Sequence, residues 1–319
     1  MQASLPDAGE VAYRPQPPHA LLNMPIQGSR IQGSIAALIT PFRNGAVDEA
    51  ACERLVLRQI NAGTHGLVPV GTTGESATLT RDERRRVIEI TIETAKGRVP
   101  VIAGAGSNST AEAIEMAKLA EKAGADAILA VTGYYNKPSQ SGLIAHFSAL
   151  HDATKLPIIL YNVPGRTVAN LSVDTIAVLS KLPRVMGLKD ATGDLARVAL
   201  QRGASGEGFG LFSGEDMTAV GFNAMGGTGC ISVTANAAPE LCAQLQSACL
   251  KGDYAAALAL QDRLAPLHDA LFKDTSPGPV KHAMALLGLC TDELRLPLVS
   301  PPDQVKRLVR EALVGLGLI

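Results

Sequence analysis

Pro157-Ile-Ile-Leu-Tyr161 and Arg184-Val-Met-Gly-Leu-Lys189 are the stretches that decide the fold. Each is a short apolar run with no polar alternation, the pattern of a parallel strand covered on both faces. Each ends in a polar side chain, followed at once by a turn-forming stretch, Asn162-Val-Pro-Gly165 or Asp190-Ala-Thr-Gly193. Six more such runs occur: Ile35–Ile39, Gly66–Val70, Val99–Ala103, Ala127–Val131, Gly208–Phe212 and Thr228–Val233. Helix signatures lie between them. Thr80-Arg-Asp-Glu83 reads as a capping box. Met116, Leu119, Ala120 and Ala123 form an apolar stripe at i, i+3, i+4, i+7. Segments 48–62, 139–153, 172–181, 194–203, 215–225 and 236–250 also fit helices.

Eight strand–helix units at a spacing of roughly 25–35 residues predict an α/β chain, a (β/α)8 TIM barrel over residues 31–252. The alternative is a doubly wound open sheet, which would carry a Gly-x-Gly-x-x-Gly after its first strand. Ile39-Thr-Pro-Phe-Arg-Asn-Gly45 is not one. Segments 253–272, 277–288 and 303–317 read as helices with no further strand, so a C-terminal helical region spans 253–319.

The chain of 319 residues is 46% hydrophobic and 18% charged, enough to bury a large core. A net charge of −1 without acidic or basic blocks argues against nucleic acid and anionic membrane surfaces as partners. No apolar run reaches the roughly 18 residues that span a bilayer. Cys52, Cys230, Cys242, Cys249 and Cys290 are scattered, with no Cys-x-x-Cys pair. A cytoplasmic chain without disulfides, zinc or any other metal is expected. Residues 1–30, with Pro15, Pro17 and Pro18, have no periodicity and no signal-peptide pattern. They are expected to form a disordered extension, with Met24 as the natural start.

In such a barrel the active site gathers at the carboxyl ends of the strands. Those ends are polar and Gly-rich here: Gly71–Ser76, Gly104–Asn108, Thr132–Asn136, Tyr161–Thr167, Lys189–Asp190, Ser213–Glu215 and Ile231–Ser232. The strand starts are bland. Among eleven lysines, only Lys189 ends an apolar run just before a turn. Desolvation disfavours a charged amine, and a free amine can attack a ketone to form a Schiff base. The plainer reading is a strand-end lysine that turns out to solvent. Gly71-Thr-Thr-Gly74 is either a nest of backbone N–H groups for an anion or a tight turn. Tyr161 either reaches the Lys189 amine or bonds a backbone carbonyl. Arg166 either holds a carboxylate bidentately or makes a surface ion pair.

Several motifs, taken together, resemble the dihydrodipicolinate synthase and N-acetylneuraminate lyase family of class I pyruvate aldolases. They are Gly33-Ser-Ile-Ala-Ala-Leu-Ile-Thr-Pro41, Gly71-Thr-Thr-Gly-Glu-Ser76, Tyr134-Tyr-Asn136, Tyr161-Asn-Val-Pro-Gly-Arg-Thr167 and Gly187-Leu-Lys-Asp-Ala-Thr-Gly193. Cys230–Asn236, Pro279-Val-Lys281 and Leu294-Arg-Leu-Pro297 extend the likeness, which runs unbroken over about residues 31–319.

The resemblance implies that Lys189 forms an imine with pyruvate, so no resident cofactor is needed. It implies that the pyruvate carboxylate lies on the N–H groups of Thr72 and Thr73, and that Gly214 and Ile231 line the pocket. Tyr161 would transfer protons through Thr72 to Tyr135, the latter contributed by a neighbouring subunit of a homotetramer built as a dimer of dimers. The enamine would attack L-aspartate 4-semialdehyde, oriented by Arg166, to give 4-hydroxy-tetrahydrodipicolinate for lysine and diaminopimelate biosynthesis. Arg166, Thr72-Thr73 and Tyr134-Tyr135 favour that acceptor over the alternatives, a 2-keto-3-deoxy acid or sialic acid.

Other readings are weaker. A non-catalytic barrel would be expected to lack Lys189 or Tyr161, and a phosphate loop at Gly226–Gly229 feeds strand eight instead of meeting substrate. In the family pattern proline often precedes the tyrosines where Gly133 stands, so the loop is looser here. Asp190 replaces a commoner glutamate, a mild change. The family's lysine effector site corresponds to Ser76, Ala77, Asn108, Glu112 and Tyr134. Two adjacent positions, often histidine in inhibited members, are Arg81 and Arg84. A cation there would repel the effector ammonium by about 1–4 kcal/mol, so weak or absent lysine inhibition is expected.

Overall fold

The computed structural model describes residues 31–319. The expectations for residues 1–30 and Met24 lie outside the described residues. The eight strands are β1 Gly33–Ala37, β2 Gly66–Val68, β3 Ile102–Gly104, β4 Ala127–Val131, β5 Ile158–Asn162, β6 Val185–Asp190, β7 Gly210–Ser213 and β8 Gly229–Ser232. All neighbours pair in parallel, in the order β2-β1-β8-β7-β6-β5-β4-β3. Leu67 and Val101 form a parallel bridge between the two end strands. Leu67 N–H donates to the Pro100 carbonyl at 3.0 Å and Gly104 N–H to the Pro69 carbonyl at 3.1 Å, which closes the barrel.

The helices that cover it are α1 Glu49–Asn61, α2 Arg81–Ala95, α3 Thr110–Ala123, α4 Gln140–Ala153, α5 Val173–Leu179, α6 Ala196–Ser205, α7 Ala219–Ala224 and α8 Pro239–Leu250. The predicted capping box opens α2: the Thr80 hydroxyl accepts from Glu83 N–H while the Glu83 carboxylate accepts from Thr80 N–H. Asp48, Ser109, Ser139 and Ser172 cap α1, α3, α4 and α5 in the simpler one-way fashion. Three more helices follow, α9 Tyr254–Leu271, α10 Gly278–Leu286 and α11 Asp303–Gly315. Two elements escape the periodicity reading. One is a hairpin, Phe42–Arg43 with Ala46–Val47, too short to show alternation. The other is a single helical turn, Pro164–Thr167, with proline at its start.

Side-chain alternation along the strands sorts the core into layers. On β5, Ile158 and Leu160 face outward to Leu143, Phe147 and Leu150 of α4. Ile159 and Tyr161 face the barrel interior with Ile35, Val68, Ile102, Phe212 and Ile231. A third cluster joins Leu38 and Leu67 to Leu264, Leu267 and Leu271 of α9, Val280 and Met284 of α10, and Val309 and Leu313 of α11. Each fully buried side chain of this size contributes about 1.5–3 kcal/mol. The C-terminal helices are therefore packed onto the barrel. Among the described residues no helix is long and apolar enough to cross a membrane.

Candidate active site

Strand register places the two decisive residues side by side. Tyr161 on β5 pairs with Lys189 on β6, and Lys189 pairs with Phe212 on β7. The Lys189 Nζ lies 4.3 Å from the centroid of the Tyr161 ring. Lys189 is 5% exposed and Tyr161 7%, so the lysine does not turn out to solvent. No carboxylate forms a salt bridge with this ammonium, and its Nζ makes no hydrogen bond to the described residues. The face of the Tyr161 ring is thus the nearest partner of this amine.

Gly214 follows β7, its N–H donating to the Asp190 carbonyl at 2.7 Å. A Cβ at residue 214 would stand 2.9 Å from Lys189 Cε and 2.7 Å from Ala191 Cβ. Only glycine leaves the lysine its present path. Ile231 on β8 is 1% exposed and belongs to the same interior layer as Tyr161. Asp190 points the other way, accepting from Thr192 N–H at 2.8 Å, Arg197 Nε at 3.3 Å and the Gln201 amide.

The Gly71–Ser76 stretch is a compact turn. Gly74 N–H donates to the Gly71 carbonyl and Glu75 N–H to the Thr72 carbonyl, each at 3.1 Å. The N–H groups of Thr72 and Thr73 have no acceptor among the described residues, as an anion seat requires. Arg166 sits on the Pro164–Thr167 turn beyond β5, exposed, with Nη2 donating to the Ser276 carbonyl at 3.3 Å. Its other guanidinium donors are uncommitted among the described residues. Among the described residues, the surface ion pair considered from the sequence does not form.

Tyr135 is not brought into the site of its own chain. It is 90% exposed and held at a φ of 69°. Tyr134 is 39% exposed, and Asn136 ties this loop to the Asn108 carbonyl at 2.9 Å. No hydrogen bond joins Tyr161, Thr72 and Tyr135 within the single chain. Beside Asn108, the Ser107 hydroxyl donates to Glu112 at 2.7 Å. Arg84 Nε donates to the Ser76 carbonyl at 3.0 Å and its Nη1 stands 3.6 Å from Glu112. Arg81 turns away to Glu115. Ala77 is exposed on the turn between.

Two groups at the site escaped the sequence reading. Glu215, next to Gly214, is half-buried. Burial pushes its carboxyl above the usual carboxylate range, with Lys189 opposing. The signal was its place at a strand end, but no motif assigned it a role. The second is Ser276, whose carbonyl is contributed from the C-terminal region by a loop with no strand to announce it.

The family comparison agrees with this geometry. Residues 30–314 match the model of the dihydrodipicolinate synthetase family. The chain belongs to that family. A 4-hydroxy-tetrahydrodipicolinate synthase of Parvibaculum lavamentivorans is 61% identical over 90% of this chain and 99% of its own length. The chloride-inhibited dihydrodipicolinate synthase of Acinetobacter baumannii, solved with pyruvate, is 45% identical with a TM-score of 0.89, over 91% of this chain and 100% of that one. The enzyme of Cyanidioschyzon merolae, solved with lysine bound, is 37% identical with a TM-score of 0.87, over 90% and 99%. Membership of the dihydrodipicolinate synthetase family makes the chain a lyase.

Proposed function

We propose that this chain condenses pyruvate with L-aspartate 4-semialdehyde to give 4-hydroxy-tetrahydrodipicolinate in the cytoplasm. The observation that carries the reading is Lys189, buried without an ionic partner, in register with Tyr161 and facing Gly214. Its amine adds to the pyruvate ketone, and loss of water gives the imine. No resident cofactor takes part, because the imine itself is the electron sink. The pyruvate carboxylate rests on the free N–H groups of Thr72 and Thr73, and Ile231 walls the pocket. A methyl proton leaves, the imine becomes an enamine, and the enamine carbon attacks the aldehyde. Tyr161 moves protons at the site, relayed through the Thr72 hydroxyl to the Tyr135 of a second copy. Attack of the acceptor's own amine on the imine carbon then closes the ring and frees Lys189. Arg166 orients the acceptor through its carboxylate.

The exposure of Tyr135 supports assembly with a second copy, within a tetramer built as a dimer of dimers. The lysine effector site of the family corresponds to Ser76, Ala77, Asn108, Glu112 and Tyr134. Arg84 already bonds Ser76 and approaches Glu112, so its guanidinium occupies the groups that an effector ammonium would need. Lysine inhibition is accordingly weak, and sub-millimolar inhibition in a steady-state titration with L-lysine would refute this.

The main test is borohydride reduction in the presence of pyruvate, followed by peptide mass mapping and ranking of aldehyde acceptors. The expected result is a pyruvate adduct on Lys189 and preference for aspartate semialdehyde. No adduct would end the Schiff-base reading. An adduct with preference for a longer polyhydroxylated aldehyde would move the substrate to a 2-keto-3-deoxy acid or sialic acid.

A further inference from the structure

The turn that offers the Thr72 and Thr73 amides continues into Glu75, a residue with a φ of 53°. A non-glycine residue in the left-handed region is strained and stays there only when its surroundings hold it. The holder is Lys281 of α10. Its Nζ donates to Glu75 Oε1 at 2.5 Å and to the Glu293 carbonyl at 2.7 Å, and lies 4.0 Å from the centroid of the Phe42 ring. The other carboxylate oxygen of Glu75 accepts from Arg295 N–H at 3.1 Å. Both side chains are wholly buried. One turn of the barrel mouth is thus fastened by groups more than 200 residues away, as the separation of 206 between Glu75 and Lys281 shows. On the barrel side, the Thr40 hydroxyl donates to the Gly74 carbonyl at 2.7 Å. Two successive residues are pinned, and the two amides before them are left free.

The choice of an ion pair for this clamp is informative. A buried pair is no more stable than an apolar pair of the same volume, so stability alone does not call for charge. A carboxylate two residues beyond the Thr73 amide would also repel the incoming anion unless it were neutralised. Lys281 supplies that neutralisation and fixes the direction of the Glu75 side chain. It is not a second nucleophile, since its ammonium is committed to two acceptors and a ring.

We propose that Glu75 and Lys281 are positioning residues for the Thr72–Thr73 amides, through which the C-terminal helical region sets the affinity for the pyruvate carboxylate. This rests on the reading of Gly71–Gly74 as the carboxylate seat. Neither residue touches the reacting atoms, so the pair governs KM for pyruvate and not the chemistry at saturation.

The test compares the full-length wild type with Lys281→Met and with Glu75→Gln/Lys281→Met. The double variant carries no unpaired buried charge and so remains folded where the single variant strands the Glu75 carboxylate. Wild type is first shown to form the borohydride-trapped pyruvate adduct; its absence overturns the Schiff-base reading and this proposal with it, whereas an adduct with unchanged pyruvate KM in the variants overturns this proposal alone. In soluble variant enzyme, KM for pyruvate is expected to rise about tenfold or more. At saturating pyruvate, kcat and KM for the aldehyde acceptor should stay within about threefold of wild type. A structural role alone would lower the folded fraction and leave KM of the remaining enzyme unchanged. Pyruvate KM within twofold of wild type in the double variant overturns the proposal, as does a fall in kcat with KM unchanged.

Discussion

Lys189 and Lys281 are both buried, and the molecule treats them in opposite ways. Lys281 has no exposure and a full set of partners: the Glu75 carboxylate, the Glu293 carbonyl and the Phe42 face. Burial pushes its amine down and Glu75 pushes it back up. Lys189 is nearly as buried and, among the described residues, has no salt bridge or hydrogen bond and lies against the Tyr161 face, with Gly214 clearing space around its chain. A buried cation that is fully matched holds structure together. One that is left unmatched at the mouth of a barrel is available for bond formation.

The contrast is broken most severely at Lys189. Replacing it by alanine is expected to lower turnover by on the order of 10³-fold or more, the scale of losing a covalent nucleophile. The pyruvate adduct should vanish at the same time. Stability should hold or rise, because the unmatched amine is gone. A denaturant titration showing a large loss of stability in this variant would mean that Lys189 is structural after all.

Lys281→Met is the mirror experiment. Removing one partner of a buried pair strands the Glu75 carboxylate, and a loss of about 3–5 kcal/mol of unfolding free energy is expected. Urea denaturation of this variant beside the Lys189 variant reads the two lysines on one scale. Equal stability losses would erase the distinction drawn between them.

Much of this contrast was written in the sequence on one side only. Lys189 ends a continuous apolar run, and strands of this kind announce themselves locally, so β5, β6, Tyr161 and the turn at Gly71 were all legible. Lys281 lies in an amphipathic helix where lysine is ordinary, and its partner is 206 residues earlier. No local pattern encodes a contact at that distance. The same holds for Ser276 against Arg166, and for the Phe42–Val47 hairpin, whose strands are two residues each. The direction of Arg84 was also hidden. Its charge was legible, but its hydrogen bond to Ser76 depends on how α2 is set against the turn.

Gly214 tests whether the space around Lys189 matters as much as its lack of partners. A methyl group there meets Lys189 Cε at 2.9 Å and must displace it. A shift of about 1 Å in a reacting group can cost about 10²-fold in rate, so Gly214→Ala should lower kcat/KM by about that factor while the chain stays folded. Steady-state kinetics with borohydride trapping would show the adduct forming slowly. Wild-type kinetics in this variant would mean that the lysine tolerates another path.

The Glu83–Arg295 bridge adds a third grade of pairing, partly exposed, and beside the buried one. Arg295 gives its backbone N–H to Glu75 and its guanidinium to both oxygens of Glu83, at 2.5 and 2.8 Å. That hydrogen bonding holds the Glu83 carboxyl down at about 2, against 4.5 ordinarily. The folded value lies below the unfolded one. The bridge therefore contributes fully above about pH 4.5 and loses its contribution as pH falls toward 2. Glu83→Gln keeps the capping box geometry and removes the charge, since glutamine serves equally at that position. At neutral pH it should cost no more than about 1 kcal/mol, the range of exposed pairs. The difference in unfolding free energy between wild type and variant should shrink steadily from pH 5 to pH 2.5. A difference that stays constant over that range would assign the effect to packing of α2 against the C-terminal segment and not to charge.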